Sequence, residues 1–150
     1  MEKFSSYREA LLEATSEREF ERISKLFSDD LLEVNGFPNE YLEFLIEVIS
    51  EPSFYSKKGA FHFLAAIGVD TDIMTPAQLN AISDAILGNF INYEDEMICI
   101  TSCDFIARYY PHDEAERILL KLKSIENQKS EKGCADDGLR IFQNEKERNP

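Results

Sequence analysis

Apolar residues recur at helical spacing from one end of this chain to the other, and that periodicity excludes most folds before any motif is sought. Phe4, Tyr7, Leu11 and Leu12 share one helix face, Phe20, Ile23, Leu26 and Phe27 a second, and Tyr41, Leu42, Leu45, Val48 and Ile49 a third. A fourth runs through Ala60, Phe61, Leu64 and Ile67, and a fifth through Leu79, Ile82, Ile86, Leu87 and Phe90. Met97, Ile98, Ile100, Phe105, Ile106 and Tyr109 then continue the pattern, followed by Ile118, Leu119, Leu122 and Ile125 and by Leu139, Ile141 and Phe142. A sheet-rich chain would need a tight turn about every ten residues, whereas this one has six glycines and five prolines in all.

The helix boundaries are written in the local chemistry. Thr75-Pro76-Ala77-Gln78 combines an N-cap, a proline at the first helical position and a glutamine placed to close a capping box. Ser16-Glu17-Arg18-Glu19 has the same form, and Asp113-Glu114-Ala115-Glu116 caps a later helix after Pro111 has ended the one before. Gly36 with Pro38, then Pro52 and Gly68, punctuate the first half, and the polar stretch from Glu126 to Lys132 separates the last two helices.

The first helices of three successive pairs begin near Asn39, Thr75 and Asp113, intervals of 36 and 38 residues, in the range of helical-hairpin repeats. Their second helices share a short pattern, His62 to Ile67, Asp104 to Tyr109 and Asp137 to Phe142, at uneven spacing. The architecture expected is all-α: antiparallel hairpins stacked into a small HEAT-like solenoid of about seven to eight helices. Residues 1–36 serve as N-terminal cap helices, 39–142 form three hairpins and 144–150 are a frayed tail. With 43% hydrophobic residues, 150 residues suffice for one core and one domain.

The charge is less ordinary. Sixteen basic residues against 29 acidic leave a net charge of −13, which opposes compaction by self-repulsion while steering basic macromolecules inward and repelling nucleic acid. The start, MEKFSSYREA, has neither a basic leader nor an apolar stretch, and no run approaches the roughly 18 apolar residues needed to cross a bilayer. Three cysteines, Cys99, Cys103 and Cys134, make no disulfide framework and read as packing residues in a reducing cytoplasm. No membrane or nucleic-acid partner is expected, and strong self-repulsion favours a monomer when no partner is present.

Catalytic and metal-binding patterns are missing from the sequence. Cys99 and Cys103 lie on one helix face, but zinc needs more ligands, and the two histidines, His62 and His112, complete no metal-binding spacing. Ser56 and Ser102 lack an activating context, and Lys57-Lys58-Gly59 lacks the glycine-rich approach of a phosphate loop. The expectation is a binder, with no catalytic residue, metal or cofactor.

Acidic clusters remain as candidate contacts: Asp29 and Asp30 with Glu33, Asp70 and Asp72, Glu94-Asp95-Glu96, Asp113-Glu114 with Glu116, and Asp136-Asp137. Carboxylates at helix N-termini complement the macrodipole without any further function, which accounts for several of these. Glu94, Asp95 and Glu96 stand beside Tyr93, read as an exposed aromatic anchor ringed by charge, and form the first-choice partner site. Asp70, Asp72, Asp29 and Asp30 are secondary candidates.

A short, acidic, all-helical chain whose hairpins run from Tyr41 to Ile67 and from Leu79 to Tyr109 resembles bacterial immunity proteins, including those of contact-dependent growth inhibition systems. The resemblance extends from about Asn39 to Phe142 and implies binding to one cognate toxin domain, often a basic nuclease, at its active site or substrate groove. A helical-repeat adaptor that assembles other proteins is the alternative.

Overall fold

The computed structural model describes residues 2–31, 34, 36–55, 71–94, 96–129 and 133–148. Among them are eight α-helices and no strand: α1 (Glu2–Glu13), α2 (Glu17–Leu31), α3 (Asn39–Ser50), the single turn α4 (Pro52–Tyr55), α5 (Pro76–Asn89), α6 (Glu96–Tyr109), α7 (His112–Lys129) and α8 (Cys134–Arg148). The helix expected across 60–67 lies outside the described residues.

Local chemistry accounts for most of the boundaries. At α5 the Gln78 amide donates to the Thr75 hydroxyl at 3.2 Å and the Thr75 amide donates back to Gln78 Oε1 at 2.9 Å, with Pro76 opening the first turn. At α2 the Glu19 amide donates to Ser16 Oγ at 3.3 Å, and the Glu19 carboxylate accepts from the Ser16 and Thr15 hydroxyls. Gly36 and Gly133, at φ of 74° and 81°, supply the left-handed backbone that turns the chain into α3 and α8.

Three boundaries differ from the sequence expectation. α7 begins at His112, directly after Pro111, so Asp113 sits inside its first turn, where a carboxylate still complements the dipole. The same helix runs on to Lys129 through residues read as a linker, because Glu126 is buried against the start of α8. α8 in turn continues to Arg148, past the expected end at Asn144. Glu145 there accepts an ion pair from Arg108 at 3.5 Å, and the Lys146 ammonium lies 6.0 Å from the centre of the Phe142 ring.

Helices far apart in sequence run parallel in a recurring register. Phe4 meets Tyr41 edge-on at 5.1 Å, and Arg8 holds Glu47 through two nitrogens at 2.7 and 2.9 Å, setting α1 along α3. Gln78 Nε2 donates to Asn39 Oδ1 at 3.2 Å and Asn89 Nδ2 to Ser50 Oγ at 3.1 Å, setting α3 along α5 with the same 39-residue offset that separates Arg8 from Glu47. α6 lies along α8, where Gly138 packs on Cys103 and Arg108 reaches Glu145. The Tyr110 hydroxyl donates to the Leu79 carbonyl at 2.5 Å and so ties the end of α6 to the start of α5 as an antiparallel pair. α1, α3, α5 and α7 start at Glu2, Asn39, Pro76 and His112, intervals of 37, 37 and 36 residues.

One continuous core results. Its N-terminal part is aromatic, with Phe4, Tyr7, Phe27, Tyr41 and Phe44 in mutual contact, and it passes through Phe90 and Tyr93 to Ile106, Leu119, Leu122 and Phe142.

Candidate protein-binding surface

The connection from α5 to α6 is a 3-10 turn, Phe90–Asn92, and its geometry decides which side chains face outward. Three residues per turn stack positions i and i+3, so Phe90 and Tyr93 point the same way, into the core. Their rings lie 6.0 Å apart, and Tyr93 meets Tyr55 edge-on at 5.0 Å while its hydroxyl donates to the Ile49 carbonyl at 2.8 Å. Burial, more than the neighbouring Cys99 and Tyr55, raises the Tyr93 phenol pKa above its ordinary value.

Tyr93 is therefore not the exposed anchor its neighbours suggested: it is 1% exposed and fastens the turn to α3. The apolar surface comes instead from Ile91 and Met97, 45% and 44% exposed, with Met97 facing away from the core to which the apolar periodicity assigned it. Glu94 and Glu96 lie exposed between them, and Asp95 falls outside the described residues. Among the described residues neither Glu94 nor Glu96 has an ion pair, whereas Asp136 is matched by Lys123 at 2.9 Å and Asp137 by Arg140 at 3.0 Å. The turn thus presents two exposed apolar side chains beside two carboxylates that have no ion pair among the described residues.

The other described candidates lie on other elements. Asp29 is exposed near the end of α2, and Asp30 beside it accepts the Tyr7 hydroxyl at 2.5 Å; burial first, and then this bond, raises the Tyr7 pKa. Asp72 is exposed in the turn over 71–73 before α5, next to the exposed Ile73. Asp70 lies outside the described residues.

Behind the turn the three cysteines are buried and none of them is in a disulfide. The Cys99 thiol donates to the Tyr93 carbonyl at 3.8 Å. The Cys134 thiol pKa is pushed up to about 12, by burial first and then by the charge of Glu126, and burial raises that of Cys103 as well. Glu126 is 3% exposed, and its carboxylate accepts the Cys134 and Ala135 amides at 2.7 Å each, capping α8 from α7. Among the described residues no three His, Cys, Asp or Glu side chains converge as metal ligands. The Ser102 hydroxyl is buried with no hydrogen-bond partner among the described residues, and His112 stands edge-on to Phe142 at 5.7 Å.

No family model, no curated protein and no solved structure matches this chain. No helix among the described residues is long and apolar enough to cross a membrane.

Two features escaped the sequence reading. Phe90 and Tyr93 three apart at a helix end are the signal that could have placed Tyr93 inward. Nothing local marks Glu126 as buried, because its partners are amides eight and nine residues on.

Proposed function

We propose that this chain is a binder of the immunity type, a cytoplasmic protein that engages and neutralises one basic, nuclease-like toxin domain through its acidic surface. The observation that carries this reading is the turn before α6, where exposed Ile91 and Met97 frame the uncompensated carboxylates of Glu94 and Glu96. Such a patch offers apolar contact for residence time and negative field for fast encounter, which an inhibitor of a lethal enzyme needs. A net charge of −13 extends that field and mimics the phosphates a nuclease would otherwise bind.

In this reading the hairpins stack as a short HEAT-like solenoid, supported by the helix starts at intervals of 37, 37 and 36 residues and by the parallel registers of α1 on α3, α3 on α5 and α6 on α8. The chain holds its target and performs no chemistry of its own. Burial of the thiols, which suppresses thiolate, accords with that.

The test is a pull-down from native cells with the tagged chain at low and moderate salt, repeated with Glu94→Lys/Glu96→Lys. Retention of a single basic protein at moderate salt, lost with the charge-reversed chain, is the expected result. Several unrelated proteins washed away as salt rises would replace the inhibitor with an adaptor, and capture unchanged by charge reversal would remove the turn from the interface.

A further inference from the structure

The exposed stripe of α6 does not stop at the turn. Met97, Thr101, Asp104 and Arg108 succeed one another at intervals of four, three and four residues, placing them in one row about 16 Å long. Along this row lies a cleft of about 200 Å³ lined by Thr101, Asp104, Phe105, Arg108 and Tyr109. The Phe105 and Tyr109 rings are 5.5 Å apart and inclined at 55°, and the Tyr109 ring is partly open to solvent. Asp104 is half-buried beside them. Among the described residues its carboxylate has no ion pair or hydrogen bond, since the Arg108 guanidinium goes to Glu145 at 3.5 Å. Asp137, the other acid whose charge acts on Asp104, is itself matched by Arg140 at 3.0 Å.

A half-buried carboxylate in a cleft edged by the open Tyr109 ring suits a cation that carries its own apolar stem: the carboxylate supplies the charge and the Tyr109 ring, backed by the buried Phe105, supplies dispersion and quadrupole attraction. We propose that this cleft takes the head of an arginine or lysine side chain from the basic partner, as a second anchor one to three helical turns beyond the Ile91–Met97 patch. The proposal rests on the binding reading above and narrows it to a partner that presents a basic side chain to α6. Burial raises the Asp104 pKa, against the lowering effect of Arg108, so an arriving cation relieves a carboxylate that is held at a disadvantage.

The test needs no partner. The isotope-labelled full chain is titrated with N-acetyl-arginine amide and N-acetyl-lysine amide, with the uncharged citrulline and acidic glutamate analogues as comparisons, while backbone amide shifts and the Asp104 carboxyl titration are followed. The basic probes should give saturable shifts centred on Thr101 to Tyr109 and lower the Asp104 pKa. Asp104→Asn should weaken binding about threefold, the effect of one exposed ion pair, and Tyr109→Ala about twofold through loss of the ring. Equal shifts from citrulline, a preference for the glutamate probe, or unchanged affinity in Asp104→Asn would overturn the proposal. Any of these results leaves the charge-reversal test at Glu94 and Glu96 intact, so failure of the cleft is distinguishable from failure of the inhibitor reading.

Discussion

Glu126 caps the helix that begins at Cys134: its two carboxylate oxygens accept the first two amides of α8 at 2.7 Å each, inside the protein and across a chain reversal. A capping side chain ordinarily comes from the residue before the helix. Here it comes from the preceding helix, so one group closes the α7–α8 hairpin and satisfies two buried donors.

Replacing Glu126 with alanine should therefore cost about 2–3 kcal/mol, more than an exposed cap, because two buried amides lose a charged acceptor together. Glu126→Gln keeps one acceptor oxygen and should recover part of that loss. Urea denaturation of the three proteins decides it, and a change below about 0.5 kcal/mol in Glu126→Ala would refute the capping role.

Two glycines in helices should respond oppositely to alanine. At Gly88 an added Cβ meets nothing within 4 Å, so Gly88→Ala should stabilise by about 0.5–1 kcal/mol through backbone entropy. At Gly138 the added carbon would lie 2.9 Å from Leu119 Cδ2 and 3.0 Å from Cys103 Cβ. The leucine tip can turn aside but the cysteine Cβ is fixed to its backbone, so Gly138→Ala should destabilise by about 1 kcal/mol even after its gain in helix propensity. Thermal midpoints of the pair, measured side by side, check the sign of each.

Stability and binding should separate at the turn before α6. Tyr93→Phe removes the buried bond to the Ile49 carbonyl and should cost about 1–2 kcal/mol of stability, while leaving affinity for a captured partner unchanged. Ile91→Ala and Met97→Ala should do the reverse, each weakening binding about fivefold or more with stability within about 0.5 kcal/mol. Denaturation curves and surface-immobilised binding measured on the same preparations would expose any other pattern.

Raised thiol and phenol pKa values set the alkaline limit. A group whose pKa is higher folded than unfolded contributes stability that is complete below the unfolded pKa and disappears as pH climbs toward the folded one. For Cys134 the window opens near the ordinary thiol value of about 8.5 and extends to about 12, and Cys103, Tyr7, Tyr93 and Tyr110 act in the same direction. Denaturation midpoints should hold from pH 7 to 8 and fall steadily above pH 9. At pH 8 a thiol reagent should leave all three cysteines unmodified in the native protein and titrate them in denaturant, and rapid native labelling of Cys134 would contradict its burial.

What could be read from residues alone follows how local each feature is. Thr75, Pro76 and Gln78 announce α5 because all the capping partners lie within four residues, and the helical class follows from apolar spacing that repeats in every segment. Tyr93 was misplaced because its side depends on whether the chain after Asn89 keeps the α-helical turn or tightens to three residues per turn, a choice made by packing against Tyr55 and Ile49. Glu126 read as a linker residue because nothing near it foretells that Cys134 and Ala135 will bring two amides to its carboxylate. In the sequence Asp104 is only the start of a pattern shared by the second helices, and its place in a cleft with Phe105 and Tyr109 is set by packing.

The polar contacts that join separate helices through side chains, from Glu126–Cys134 to Tyr93–Ile49, span between 8 and 44 residues of sequence. Each helix can therefore reach its partners once roughly one further hairpin has been made, without waiting for the far end of the chain. Low contact order of this kind favours fast, progressive folding during synthesis, and it lets α1 and α2 complete the aromatic cluster with α3 before α8 exists. An inhibitor of the proposed kind, which must be ready before its target, would need that head start.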